Sequence, residues 1–273
     1  MSPTPVRVRF PGFIAAVAVA VGAALAATLL IPPATAAAVT PPPPGAKFDY
    51  QIGGAYTPPS GVTVVSRDRG DAPAPGLYNI CYVNAFQVQP GEQGDWDADL
   101  LLRDSAGRLV IDEDWGEPLL DLRTADKRQR IAAKVNGWIS ECADDGFQAV
   151  EPDNYDSYTR SKNLVTAAHA QAYIRLLSAH AHGQGLAIAQ KNTVELAGDR
   201  VQNGLDFAIA EECGYYRECG DYTAEFGDNV IVIEYTSQGL SRACSGFRNR
   251  LSIVRRDVDV SPAGSPGYVY RTC

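Results

Sequence analysis

Short apolar runs that end in polar side chains recur along the chain from residue 48 to residue 257. The runs are rich in Val, Ile, Ala and Phe, the composition of strands buried in a parallel sheet. We place eight such strands at residues 48–51, 62–68, 78–87, 147–150, 186–192, 207–213, 229–235 and 252–257. Repeated polar C-terminal ends predict a (β/α)8 TIM-type barrel with its site at that end.

Two helical patterns alternate with these strands. Residues 126–142 place Ile131, Val135 and Ile139 on one face, and residues 166–182 place Ala170, Tyr173 and Leu177 on another. Residues 51–61 are broken by glycine and proline and are too short for a helix. We therefore expect a barrel that is lightly clad by helices at its N-terminal side.

Three carboxylates follow the fourth predicted strand, at Glu151, Asp153 and Asp156. Pro152 lies between the first two and has no N–H for a strand ladder. The proline predicts that the strand ends there and that the carboxylates project from the strand's end, where parallel-sheet enzymes hold their catalytic groups.

The first 36 residues differ from the rest of the chain. Arg7 and Arg9 precede an apolar stretch, and Ala34-Thr35-Ala36 is a small-residue cleavage site, so residues 1–36 are predicted to be a secretory signal peptide. An uncleaved membrane anchor is the alternative. We predict a proline-rich linker at 37–46 and one barrel domain at 47–273.

The chain is acidic, with 24 basic and 32 acidic residues and a net charge of −8. Removal of Arg7 and Arg9 with the signal peptide leaves 22 basic and 32 acidic residues, a net charge of −10. Such a charge argues against nucleic acid as a partner and would attract a cationic ligand. Charge alone favours a simpler explanation, the ordinary solubility of a secreted protein.

Six cysteines in a secreted chain predict three disulfides, and six cysteines allow fifteen pairings. Proximity in the chain favours Cys213–Cys219, and Cys244–Cys273 would hold the C-terminus. Cys81–Cys142 is the remaining pair.

Several classes of chemistry are disfavoured. The three histidines, His169, His180 and His182, lie in one predicted helix, and no Cys-x-x-Cys pair, Gly-x-Ser-x-Gly elbow or phosphate loop is present. We therefore expect neither a metal nor a cofactor.

Paired carboxylates suit the sequence better. Asp153 and Glu211 end the fourth and sixth predicted strands, and Lys191 ends the fifth, between them. Glycoside hydrolysis needs two carboxyl groups in opposite protonation states, and a neighbouring ammonium favours the ionised one. Other polar and aromatic side chains at the strand ends are predicted to bind substrate: Asp49, Tyr50, Asp68, Tyr82, Asn84, Gln87, Glu151, Asn154, Asp156, Lys191, Asn192, Glu212, Glu234 and Tyr235.

Six short motifs resemble glycoside hydrolase family 114. They begin at Phe48 (FDYQIGG), Cys81 (CYVNAFQ), Val150 (VEPDN), Gln190 (QKN), Ala210 (AEEC) and Ile233 (IEY). The resemblance covers residues 48–273. It implies a (β/α)8 barrel without metal, an endo-α-1,4-polygalactosaminidase activity on galactosamine-containing exopolysaccharide, and Asp153 and Glu211 as the catalytic pair.

The resemblance leaves alternatives open. Glu212 would point inward if Phe207 and Ile209 faced the helices, so it competes with Glu211. A catalytically silent polysaccharide-binding barrel, or a hydrolase of another α-linked sugar, would share the aromatic and amide residues. Retention or inversion of configuration is undecided. A secreted monomer that binds cationic or partly de-N-acetylated polysaccharide is expected, with membrane contact only if the N-terminal segment stays uncleaved.

Overall fold

Eight parallel strands form a nearly closed barrel. The computed structural model describes Met1 and residues 39–273. The strands are β1 (Phe48–Gln51), β2 (Val64–Asp68), β3 (Tyr78–Asn84), β4 (Ile111–Asp112), β5 (Glu117–Pro118), β6 (Ala149–Asp153), β7 (Ala187–Lys191), β8 (Phe207–Glu211), β9 (Val230–Glu234), β10 (Ser252–Arg256) and β11 (Tyr270–Thr272). The barrel order is β1-β2-β3-β6-β7-β8-β9-β10, with β11 antiparallel to β10. The predicted TIM-type fold is confirmed.

The helices occupy the connections after β3. They are α1 (Ala125–Asp145), α2 (Ser157–Arg160), α3 (Ala167–Gly183), α4 (Arg200–Asn203), α5 (Cys213–Tyr216), α6 (Cys219–Phe226) and α7 (Ser237–Phe247). The two predicted helices are confirmed as α1 and α3. Thr124 and Thr166 cap their N-termini with side-chain oxygens, and Gly146 ends α1 in the left-handed region with a φ of 93°.

The N-terminal side of the barrel is lightly clad, as predicted. Within the described residues, the connections 52–63 and 69–77 form no helix. Arg67 on β2 holds these loops instead: its Nε donates to Gln51 Oε1 at 3.0 Å, its Nη1 to Ala72 O at 2.6 Å and its Nη2 to Tyr56 O at 2.9 Å. One buried guanidinium satisfies backbone carbonyls that a helix would have satisfied internally.

Alternate strand residues divide the core into two layers. Phe207 and Ile209 belong to the apolar cluster inside the barrel, whereas Ala208 and Ala210 belong to the cluster between sheet and helices. The same period of two continues to the strand's end. Glu211 therefore points into the barrel, and the alternative in which Phe207 and Ile209 face the helices is wrong.

Pro152 lies within β6, so the prediction that it ends the strand is wrong. It is paired with Val83 of β3. On the other side, β6 is paired with β7 only at Ala149 and Val150. The ladder to β7 has ended before Pro152, so its missing N–H removes no bond there.

An ion pair joins the first and last parallel strands. Arg256 Nη1 on β10 is 3.3 Å from Asp49 Oδ1 on β1, and both side chains are fully buried. Tyr270 on β11 adds a hydroxyl bond to the carbonyl of Phe48 at 3.3 Å. These contacts link the two edges of the sheet across the seam of the barrel.

Three disulfides are present, Cys81–Cys142, Cys213–Cys219 and Cys244–Cys273, in the predicted pairing. The predicted signal peptide, apart from Met1, and residues 37–38 of the predicted linker lie outside the described residues. The signal peptide and the linker boundaries stay predictions. Among the described residues, none of the helices combines the length and the apolar character that a bilayer crossing requires.

The seam pair allows a stability prediction. Asp49→Asn should lower the free energy of unfolding by about 3 kcal/mol, because it removes the nearer counter-charge of the buried Arg256 guanidinium and leaves only Asp257, whose Oδ2 is 3.8 Å from Nη2. Urea unfolding of the purified variant measures the change. Asp228→Asn is the control, since it breaks an exposed Arg–Asp pair with Arg250 and should cost less than about 1 kcal/mol. Equal losses in the two variants would contradict the prediction.

Candidate functional site

The ammonium of Lys191 lies at the C-terminal end of the barrel among three carboxylates. Its Nζ is 3.1 Å from Glu151 Oε1, 3.1 Å from Asp153 Oδ1 and 3.4 Å from Glu211 Oε2. Asp153, Lys191 and Glu211 end the adjacent strands β6, β7 and β8, so the inward positions at these strand ends converge. Burial alone would lower the pKa of Lys191, but the charges of Asp153 and Glu211 hold it well above its usual value.

Asp153 is held in its ionised form. Its Oδ2 accepts a hydrogen bond from the Tyr82 hydroxyl at 2.8 Å, and its Oδ1 accepts one from the Asn154 backbone N–H at 2.7 Å. Burial acts to raise the pKa of Asp153, but the Lys191 charge and these two donors outweigh it and lower the pKa below its usual value. An ionised carboxylate at the base of a cleft is suited to nucleophilic attack.

Glu151 lies beneath Asp153 and is fully buried. Its Oε1 accepts from the Tyr50 hydroxyl at 2.9 Å, and its Oε2 accepts from Ser66 Oγ at 2.6 Å. Burial raises its pKa despite the nearby Lys191 ammonium. Since its oxygens are already bonded to groups of the barrel interior, Glu151 positions Lys191 rather than contacting a ligand.

Glu211 accepts hydrogen bonds on both oxygens. Asn192 Nδ2 donates to Oε2 at 2.9 Å, and the Tyr235 hydroxyl donates to Oε1. Asn192 Oδ1 also accepts from the Glu211 backbone N–H at 2.9 Å, which fixes the amide orientation. A hydroxyl can donate to a carboxylate and accept from a carboxylic acid, so Tyr235 suits a group that changes protonation.

A left-handed residue follows each of the three inward site residues. Asn154 has a φ of 65°, Asn192 a φ of 49° and Glu212 a φ of 57°. This conformation is uncommon outside glycine, although asparagine tolerates it. It turns the chain sharply at the ends of β6, β7 and β8, which brings Asn154 N–H and the Asn192 amide back onto the site.

The site opens into a cleft with two lobes that share six lining residues, Trp115, Asp156, Asn192, Glu211, Tyr235 and Val258. The first lobe has a volume of about 380 Å³ and is lined further by Tyr50, Tyr82, Glu117, Asp153 and Asp259. The second lobe has a volume of about 490 Å³ and is lined further by Glu195, Glu212, Tyr216, Glu218 and Tyr222. Because the lobes share residues, they form one continuous groove with Glu211 at the junction.

The groove is strongly acidic. Its lining includes the carboxylates of Asp114, Glu117, Asp153, Asp156, Glu195, Glu211, Glu212, Glu218 and Asp259. Among the described residues that line the two lobes, Arg160 is the only cation. Its Nε is 2.6 Å from Asp112 and its Nη1 is 2.7 Å from Asp156, so its charge is already paired. The groove therefore favours a cationic ligand.

Most predicted site residues meet in this groove. The residues that line it are Tyr50, Tyr82, Asp153, Asn154, Asp156, Asn192, Glu211, Glu212 and Tyr235. Lys191 and Glu151 lie directly beneath them. Asn84 lies behind the wall, where it donates to Glu117 Oε2 at 2.9 Å and accepts from Asn154 at 3.0 Å.

Four predicted substrate contacts lie elsewhere, which corrects the prediction. Asp49 pairs with Arg256 at the barrel seam. Asp68 Oδ1 accepts from the Gly70 N–H at 2.8 Å within a turn. Gln87 lies beyond the end of β3 and donates to Asp112 at 2.8 Å.

Glu234 is the fourth. It alternates with the inward Ile233 and so faces the helices, where its Oε1 accepts from the Gly214 N–H at 2.7 Å. A side chain at Gly239 would collide with its carboxyl. Its hydrogen bond holds the start of α5, and its carboxyl packs against Gly239 of α7. Its carboxyl is also close to Cys213 and Cys219, but both sulfurs form a disulfide and are not available to a metal.

The β4–β5 hairpin contributes two residues, Asp114 and Glu117, that were not predicted. It lies in the connection between β3 and α1 and brings Asp114, Trp115 and Glu117 to the groove. Gly116, with a φ of 71°, is the turn residue that signals a hairpin here. The position of the hairpin on the barrel depends on contacts between residues far apart in the chain, and local sequence patterns do not predict such contacts.

Residues 30–273 match the model of glycoside hydrolase family GH114. The chain belongs to this family. A comparison with curated proteins found no match. Membership in GH114, together with the Lys191-centred carboxylates, identifies the chain as a glycoside hydrolase.

Solved structures share the fold. The crystal structure of Aspergillus fumigatus Ega3 in complex with galactosamine is 21% identical, with a TM-score of 0.70 over 86% of this chain and 98% of that one. The glycoside hydrolase domain of PelA from Pseudomonas aeruginosa is 14% identical, with a TM-score of 0.57 over 85% of this chain and 100% of that one. These similarities confirm the barrel architecture of this GH114 member.

Glu117 allows a prediction on pH. Burial raises its pKa to about 7, the Asn84 hydrogen bond opposes that rise, and the charges of Asp153 and Asp112 add to it. An unfolded glutamate titrates at about 4.3. Between pH about 4.3 and pH about 7 the folded state therefore binds more protons than the unfolded state. The stabilisation that protonated Glu117 gives is complete below the lower pH and is lost as the pH rises through the higher one.

Glu117→Gln stays neutral, so its stability relative to the wild type should increase as the pH rises from about 5 to about 8. Urea midpoints across this pH range measure the difference. Glu113→Gln is the control, because it removes an exposed carboxylate from the same hairpin. Its urea midpoint should differ from that of the wild type by the same amount at every pH. If the difference in urea midpoint between Glu117→Gln and the wild type did not change with pH, the raised pKa of Glu117 would be contradicted.

Proposed function

We propose that the protein is a secreted endo-glycosidase that hydrolyses α-1,4-linked galactosamine-containing exopolysaccharide, with Asp153 as nucleophile and Glu211 as general acid/base. The observation that carries the proposal is the pair of carboxylates that share the Lys191 ammonium at the base of an acidic groove in a GH114 barrel. Two carboxyl groups flanking the bond are what glycoside hydrolysis requires.

The separation of the pair favours retention of configuration. Asp153 Oδ1 and Glu211 Oε2 lie 3.1 Å and 3.4 Å from the same nitrogen, so they are separated by at most the sum, 6.5 Å. Retaining enzymes hold their carboxyl groups about 5–5.5 Å apart, and inverting enzymes hold them about 6.5–9.5 Å apart to admit a water. The shared ammonium therefore favours the shorter arrangement.

In the first step, an oxygen of Asp153 bonds to the anomeric carbon as the bond to the glycosidic oxygen breaks. Glu211 gives its proton to that oxygen, which leaves as a hydroxyl. In the second step, Glu211 takes a proton from water, the water oxygen bonds to the anomeric carbon, and the Asp153 carboxylate is released.

Lys191 suits both steps. When Asp153 becomes an ester its negative charge disappears, and Glu211 becomes a carboxylate after giving up its proton. The number of negative charges around the ammonium is therefore unchanged. Lys191 contacts both groups, so it can stabilise each carboxylate in turn without moving.

The acidic groove supports an amino sugar as substrate. A galactosamine unit without its acetyl group carries an ammonium near neutral pH, and an acidic cleft concentrates cations. Ega3, which shares the fold, crystallised with galactosamine. A groove with two open lobes on either side of Glu211 suits attack within a polymer.

The proposal includes the compartment, the oligomeric state and the partners of the enzyme. Three disulfides favour an oxidising compartment, which agrees with a secretory signal peptide over residues 1–36. We propose a monomer that acts on cationic or partly de-N-acetylated polysaccharide and does not bind nucleic acid, because its groove would repel phosphates.

The catalytic pair is tested by isosteric substitution. Asp153→Asn and Glu211→Gln keep the shape of each side chain and remove the ionisable group, so each should lower kcat by about three or more orders of magnitude. Turnover of partly de-N-acetylated polygalactosamine, followed by release of oligomers, measures the loss.

Glu212→Gln tests whether the neighbouring carboxyl is catalytic instead. Its kcat should fall by at most about tenfold, because Glu212 lies outside the Lys191 cluster. Azide rescue would identify the nucleophile by the configuration of the product: a nucleophile variant, Asp153→Ala, should give the inverted β-glycosyl azide, and an acid/base variant, Glu211→Ala, the retained α-glycosyl azide. Near-wild-type turnover in Asp153→Asn or Glu211→Gln would refute the assignment. A wild type that binds the polymer and never cleaves it would indicate a silent binding barrel.

Charge attraction is tested with salt. Raising the ionic strength from about 0.01 M to about 0.1 M shortens the screening length from about 30 Å to about 10 Å. The kcat/KM for partly de-N-acetylated polymer should fall by at least about tenfold over that range. The fully N-acetylated polymer carries no ammonium and is the matched control. Equal salt dependence for the two polymers would remove charge attraction from the proposal.

A further inference from the structure

The second lobe of the groove extends away from Asp153 and is bordered by an exposed aromatic ring. Tyr216 lines this lobe and is 61% exposed. Asp153 lines only the first lobe, whereas Glu211 lines both. Of the two proposed catalytic carboxyls, Glu211 therefore borders the second lobe and Asp153 does not. This asymmetry indicates which way a sugar chain runs along the groove.

We infer that the second lobe binds the sugars on the leaving-group side of the cleaved bond, and that one of these amino sugars beyond the one next to the cleaved bond stacks on Tyr216. The inference rests on the proposed function. The nucleophile must reach the anomeric carbon of the sugar that stays on the enzyme, and the acid must reach the oxygen that leaves. The lobe that Glu211 borders and Asp153 does not is therefore on the leaving-group side, toward the reducing end.

The segment that carries Tyr216 is fixed in place before any ligand arrives. The disulfide Cys213–Cys219 closes a short loop around it. Within that loop the Glu218 N–H donates to the Cys213 carbonyl at 2.8 Å. Arg242 on α7 donates from Nη1 to the Tyr215 carbonyl at 2.7 Å. A pre-organised aromatic ring loses little conformational entropy when a ligand packs on it.

The chemistry around Tyr216 fits an amino sugar. The apolar face of a pyranose packs on an aromatic ring, and carboxylates of the same lobe, Glu195 and Glu218, are placed to attract its ammonium. The carboxylates supply attraction for any cation. The exposed ring and the continuity with the catalytic cleft are what select a sugar chain.

Tyr215 provides a matched control within the same loop. Its ring packs edge-on against Tyr216, with centroids 5.1 Å apart, and lies 6.0 Å from the Arg242 guanidinium. Tyr215 is not among the residues that line either lobe. Removing this ring changes the loop's aromatic content without removing a wall of the groove.

The experiment uses galactosamine oligosaccharides that carry a fluorescent label at the reducing end. The length of the labelled product then reports how many sugars occupied the leaving-group side. Wild-type enzyme should favour bonds with more than one sugar on the labelled side. Tyr216→Ala should lower kcat/KM at those bonds by about tenfold, the loss expected for one stacked ring, and should leave cleavage next to the labelled sugar nearly unchanged.

Two further variants and a stability measurement complete the test. Tyr216→Phe keeps the ring and should behave like the wild type, and so should Tyr215→Ala. Thermal unfolding should be the same within about 2 °C for all variants because both tyrosines are on the surface. A loss with Tyr216→Ala that is equal at all bonds, or that follows the length of the unlabelled side, would overturn the inference and leave the proposed function standing. A wild type that cleaves none of these oligosaccharides would overturn both.

Discussion

One buried ammonium sets the arrangement of the whole C-terminal end of the barrel. Lys191 is 1% exposed and lies within 3.4 Å of carboxylate oxygens from both neighbouring strands. A buried charge is tolerated only when opposite charges and hydrogen bonds compensate it. The inward positions at the ends of β6 and β8 are therefore required to be acidic, and the donors around them follow from that requirement.

The three carboxylates carry more negative charge than one lysine can neutralise, and neutral donors make up the difference. They are the hydroxyls of Tyr50, Ser66, Tyr82 and Tyr235, the amide of Asn192 and the backbone N–H of Asn154. These donors come from six different strand ends or the turns that follow them. The cluster thus links most of the barrel's circumference and holds the three carboxylates in fixed positions.

The connections determine the shape of the groove above this cluster. On the side of β1 and β2, Arg67 and the Asp49–Arg256 pair replace helices and keep the barrel closed. The β4–β5 hairpin after β3 and the disulfide loop 213–219 after β8 rise beside the site. The barrel supplies rigid strand ends, and the loops supply the walls that a polymer would contact.

The sequence by itself determined the eight strands, α1, α3 and the placement of Asp153 and Lys191, with an acid at Glu211 or Glu212, at the C-terminal ends of neighbouring strands. Apolar runs mark buried strands wherever they pack, and parallel strands bring their C-terminal residues together whatever the loops do. The choice between Glu211 and Glu212 needed the structure, because the outer and inner faces of β8 are both apolar and the pattern does not distinguish them.

Only the tertiary structure decided which polar residues reach the groove. Asp49 and Glu234 sit in strand motifs but face away from the groove, into the seam and toward the helices, since side chains alternate along a strand. Glu117 and Arg160 reach the groove because the connection from β3 to α1 and helix α2 fold back over the barrel. Such placement depends on contacts between residues far apart in the chain, and local periodicity carries no information about them.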